Sequence, residues 1–131
     1  TTFGTVDISS LLANNGDRII VESWWKALTF TWTYKIYYGT DGVSFVDPGY
    51  GAVTSLWHTR VEFIRTGASA SKIQDAHVGY VVGAGTSLTY LQVSGTGTQS
   101  HSGTITVRTT GTDASQMTEH AMTVYFMAAP A

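Results

Sequence analysis

Between Leu28 and Tyr38 the chain alternates without a break. Leu28, Phe30, Trp32, Tyr34, Ile36 and Tyr38 take the even positions, with Thr29, Thr31, Thr33, Lys35 and Tyr37 between them. A period of two places such sets on opposite faces only in a β-strand. The same rhythm sets Trp57, Thr59, Val61 and Phe63 against His58, Arg60, Glu62 and Ile64. It returns in His120, Met122, Val124 and Phe126 against Ala121, Thr123, Tyr125 and Met127. Aromatic and β-branched residues, which suit a pleated and half-buried surface, dominate all three stretches.

Turn formers punctuate these runs. Asn14-Asn15-Gly16-Asp17 leads into a strand over 17–25, and Asp41-Gly42 predicts a tight hairpin reversal before 43–46. "DPGYG" at 47–51 reads as a loop, since Pro48 cannot donate to a ladder. "GAGTS", "SGTGTQSHSG" and "TGTDAS" mark three later turns. About nine strands result, near 3–8, 17–25, 28–38, 43–46, 57–65, 76–82, 87–93, 103–110 and 117–127. Ser9 to Ala13 and Ser69 to Asp75 are the two candidate helical turns. The expected fold is all-β, an antiparallel two-sheet sandwich of the jelly-roll kind, with an immunoglobulin-type sandwich as the alternative. Residues 1–131 form one domain. Because it opens on Thr1, the chain is expected to be excised or processed from something longer.

Composition narrows the function. Charged residues make up 12% of the chain, with 21 Thr and 12 Ser in their place and a net charge of -2. Seven Lys and Arg scattered along the sequence give no basic footprint for nucleic acid. No apolar run is long enough to span a membrane as a helix. There is no cysteine, so disulfides and thiolate metal sites are excluded.

The stretch from Trp24 to Tyr38 holds three of four tryptophans and three of seven tyrosines. Such rings can fill a core, cover a subunit contact, or stack on the apolar face of a sugar. Strand parity separates these roles. If the even face of 28–38 is buried, Trp25 and Tyr37 lie on the other face or at strand ends. Tyr50 in the 47–51 loop and Trp57 beside the next loop raise the same question. The expected carbohydrate-binding set is therefore Trp25, Tyr37, Tyr50 and Trp57 as stacking rings, with Asp47 and His58 as polar neighbours.

No catalytic pattern accompanies them. His58, His77, His101 and His120 are scattered, with no His-x-His or HExxH spacing, and no metal site is expected. Asp41 and Asp47 are the one pair suited to a Ca²⁺ ion, but their spacing matches no calcium loop. Glu22 and Glu62 would make a glycosidase pair only on neighbouring strands of one exposed face. No G-x-S-x-G elbow occurs, and "GAGTS" lacks the lysine and helix of a phosphate cradle. The expectation is a protein without catalytic residues or cofactor.

Two segments carry a resemblance. "DISSLLANNGDRIIVESWW" (Asp7 to Trp25) is similar to the opening of small β-sandwich domains in bacteriophage tail fibres and tailspikes. "SLTYLQVSGTGTQSHSGTITVRTTGTDASQMTEHAMTVYFM" (Ser87 to Met127) resembles their closing strands. The likeness covers about half the chain and lies in rhythm and composition. It implies a homotrimeric, extracellular virion protein whose terminal domain attaches to host cell-surface polysaccharide. A carbohydrate-binding module of a secreted polysaccharide-degrading enzyme is the alternative. So is a purely structural trimerisation or capsid-decoration domain.

Overall fold

Alternation becomes architecture in nine strands among the described residues: β1 (Thr2–Asp7), β2 (Arg18–Ala27), β3 (Thr33–Tyr38), β4 (Asp41–Val46), β5 (Leu56–Gly67), β6 (Ala70–Val81), β7 (Leu91–Gly97), β8 (Thr106–Gly111) and β9 (Met117–Met127). The computed structural model describes residues 1–27, 32–46, 56–81, 91–102, 105–112 and 117–130. One antiparallel sheet has the order β1-β8-β3-β4, and the other the order β7-β6-β5-β2-β9. Their inner faces share one core, so the all-β sandwich expected from the sequence is the fold. The strand order defines the sandwich and does not by itself define a jelly roll.

Phase within each strand decides who is inside. In β3, Tyr34, Ile36 and Tyr38 are buried and their odd neighbours half-buried. In β2 the inward set is Ile19, Val21, Ser23 and Trp25, each fully buried. They lie opposite Phe63, Val61, Thr59 and Trp57 of β5. Trp25 stacks on Tyr34 at 4.7 Å and on Trp57 at 5.6 Å, and meets Trp32 edge-on at 4.7 Å. These rings, with aromatic pairs worth about 0.5–1.5 kcal/mol beyond their area, make the centre of the core.

Two local expectations change. The β3–β4 reversal turns at Gly39 and Thr40, and Asp41-Gly42 already belongs to β4. Gly39 has φ +59°, and an added Cβ would meet Gln99 Oε1 at 2.1 Å, so this corner needs glycine. Ser69 to Asp75 is no helical turn: Ala68 and Ser69 turn the β5–β6 hairpin and the rest is strand.

The two sides of the sandwich are finished differently. On the β4–β7 side, Asp41 accepts from Ser71 Oγ (3.1 Å) and from the backbone N–H groups of Thr98 (3.2 Å) and Gln99 (2.9 Å). Gln99 Oε1 accepts in turn from the Thr40 N–H at 2.6 Å and its hydroxyl at 2.8 Å. On the β1–β9 side a cavity of about 520 Å³ opens, lined by Phe3, Met117, Glu119, His120 and Met122 among others. Val6, Tyr125, Phe126 and Met127 are exposed there or along β9.

Candidate functional site

The four sequence-predicted residues that the structure describes, Trp25, Tyr37, Trp57 and His58, do not converge on one surface. Trp25 is completely buried and Trp57 is 2% exposed, so neither can stack on a ligand. The expectation for Trp25 fails because β2 and β3 lie in different sheets, and the phase of one says nothing about the other. Trp57 is inside because its register partner across β2–β5 is Trp25 itself. Tyr37 does face outward, on the four-stranded sheet, where the Arg108 guanidinium lies 4.3 Å from its ring centroid. His58 faces outward on the other sheet. Asp47 and Tyr50 lie outside the described residues.

His58 leads to the residue that sequence reasoning missed. Opposite it on β2 is Trp24, half-buried on the outer face, with ring centroids 4.1 Å apart. His58 Nε2 is 2.6 Å from Glu22 Oε1, also on β2 and on the same face. Trp24's other neighbour, across the β2–β9 ladder, is the exposed Ala121. A methyl group is too small to cover an indole, so that flank of Trp24 has no bulky neighbour on its register position. Tyr125 stands further along β9, opposite Ile20 and 48% exposed. The outer face thus offers an indole, an imidazole bonded to a carboxylate, the half-buried Arg60 and a tyrosine on one sheet.

Strand alternation in β2 points Trp24 and Trp25 to opposite faces, and a bulge in β9 lies beside them. Along β9, Glu119 pairs with Trp25 and Ala121 with Trp24, leaving His120 as the extra residue. Bulges re-aim side chains in this way. Glu119 consequently points inward, where its Oε2 accepts from the Tyr34 hydroxyl at 2.6 Å. That hydroxyl also lies 2.9 Å from Ser23 Oγ, which bonds Thr59. Burial, and then the Glu119 charge, push the Tyr34 phenol far above its ordinary range, so it stays a donor. Glu119 Oε1 lies over Gly4, where an added Cβ would approach it to 3.0 Å.

The carboxylate pair considered for glycoside cleavage meets its proximity condition in part. Glu22 faces Arg60, and Glu62 is two residues further along β5, on the same side of the sheet. Both are spoken for: Glu22 by His58, and Glu62, 8% exposed, by Arg18 at 3.0 Å. No group of three metal-ligating side chains occurs among the described residues. Asp41, half of the calcium pair considered above, already accepts three hydrogen bonds from its own fold. No family model, curated protein or solved structure matches the chain.

Proposed function

We propose that this chain is a non-catalytic carbohydrate-recognition domain, of the kind that ends a phage tail fibre or tailspike, and that it reads its ligand with the outer face of the five-stranded sheet. The observation that carries this reading is the Trp24–His58–Glu22 cluster on that face. Trp24 supplies an apolar surface for the C–H face of a pyranose, while His58, Glu22 and Arg60 supply hydrogen-bonding groups for its hydroxyls. Trp24 and Tyr125 are four residues apart in ladder register, or about 14 Å along the strands, which suits a short oligosaccharide better than one ring.

The neutral, hydroxyl-rich composition favours a polyol ligand over phosphate or lipid. The non-catalytic part of the proposal is supported by the pairing of Glu22 and Glu62 with bases. A glycan array followed by calorimetry on the best ligand tests it. Trp24→Ala should weaken binding by about 30-fold or more, the loss typical of a hot-spot tryptophan. Trp25→Phe, altering an enclosed ring, should leave affinity unchanged. If Trp24→Ala binds as the parent does, the site is wrong. A purely structural role is the second reading, favoured by the exposed apolar side chains of β9.

A further inference from the structure

β9 is an unusual edge. It is 11 residues long and lies outermost in its sheet, and from Ala121 to Met127 it carries neither charge nor proline. Exposed edges are normally blunted by lysine, proline, a bulge or shortness, because their free N–H and C=O groups invite another strand. The one bulge, at His120, leaves seven regular residues beyond it. Three consecutive large side chains there, Tyr125, Phe126 and Met127, are 48%, 41% and 40% exposed.

We propose that β9 pairs antiparallel with β9 of a second copy of this chain about a two-fold axis at Val124, and that the second copy completes the Trp24 site. The midpoint of the regular segment sets the axis. Centred there, Val124 meets its own counterpart, and each Met122 meets Phe126 of the second copy on the inner side. β-branched and sulfur–aromatic contacts of this kind are favourable. On the outer side, Tyr125 of the second copy falls opposite Thr123, and Met127 of the second copy opposite Ala121. No like charges oppose each other. A seven-residue ladder is about 24 Å long, and with its side chains buries on the order of 1,000 Å² over both copies, the lower bound for a stable contact.

The register has a consequence for recognition, and here the inference rests on the proposed function of the Trp24 face. Ala121 lies between Trp24 and the second copy, so Met127 of that copy stands two strand spacings, or about 10 Å, from Trp24 on the same face. The small Ala121 becomes the floor of a slot with an indole on one side and a thioether on the other. Tyr125 of the second copy adds a ring beside Thr123 and Glu22. Pairing of one strand with itself closes at two copies. It is therefore a different assembly from the trimer that the phage resemblance implies.

The absence of cysteine gives a clean test. A disulfide needs Cα atoms within about 7 Å, which only residues facing each other across the axis achieve. Val124→Cys should oxidise to a covalent dimer, whereas Thr5→Cys, exposed on the other sheet, should not. The parent should sediment as a dimer at tens of micromolar. Phe126→Lys should raise its dissociation constant about 30-fold or more. A monomeric or trimeric parent, or equal cross-linking of the two cysteine variants, overturns the pairing.

For the slot, the probe is the array-selected oligosaccharide. Met127→Ala should weaken its binding to the dimer several-fold, and leave unchanged its weaker binding to monomeric Phe126→Lys. Equal binding by Met127→Ala and parent dimers overturns the slot. A dimeric parent for which the array finds no glycan instead supports the pairing while sinking the proposed function.

Discussion

Trp24 and Trp25 are adjacent in sequence and opposite in environment, so truncating each to alanine separates the core from the site. Trp25 is completely buried and touches three aromatic rings at 4.7–5.6 Å. Trp→Ala in a core costs about 3–5 kcal/mol, from lost transfer energy plus the cavity left behind. The stacked neighbours Tyr34 and Trp57 are themselves pinned between sheets and cannot collapse far, so the upper half of that range, about 4–5 kcal/mol, is expected. Domains of this size hold about 5–15 kcal/mol in total, so Trp25→Ala removes a large fraction of the stability. In urea, with a slope of about 2 kcal/mol per molar, the midpoint should fall by about 2 M.

Trp24→Ala removes a half-buried ring resting on His58 and should cost about 1 kcal/mol, or about 0.5 M in midpoint. Both variants are compared at one protein concentration, because self-association makes apparent stability concentration-dependent. Equal losses, or a larger loss at Trp24, would refute the assignment of faces in β2.

Further outcomes are expected elsewhere. Tyr34→Phe leaves Glu119 and Ser23 without their shared hydroxyl partner inside the sandwich and should destabilise by about 1–3 kcal/mol, read by chemical denaturation. Gly39→Ala should cost about 1–3 kcal/mol, from left-handed backbone strain and the collision with Gln99, and Gly39→Asn less, measured as a fall in Tm. Asp17 accepts from the backbone N–H groups of Ala129 and Asn14, and these bonds hold its carboxyl below the ordinary value of 3.8. Its stabilising contribution is complete above that value and disappears as pH falls through the lowered one. Asp17→Asn should therefore flatten the stability–pH curve below about pH 4.

Much of this was legible from alternation alone. Trp32, Tyr34, Ile36 and Tyr38 are buried as the even face of their run predicts, and Trp57, Thr59, Val61 and Phe63 share one side of β5. Phase, however, carries information only within a strand. Once Ala27 ends β2 and Thr33 begins β3 in the other sheet, the parity of Tyr37 says nothing about Trp25. The His120 bulge is silent in "MTEHAM", which holds no glycine to mark it, and it alone turns Glu119 inward. Ser69 to Asp75 joined β6 because pairing with β5 overrides a weak local preference. Which outward-facing residues become neighbours depends on register, and that is why the contact between His58 and Trp24 could not be read from the sequence.

The most direct measurement is a titration of the array-selected oligosaccharide followed through the four indole N–H resonances. If the open sheet face is the binding surface, the Trp24 signal should shift with ligand while those of Trp25, Trp32 and Trp57 stay in place. Movement of the enclosed indoles with Trp24 unmoved would contradict it.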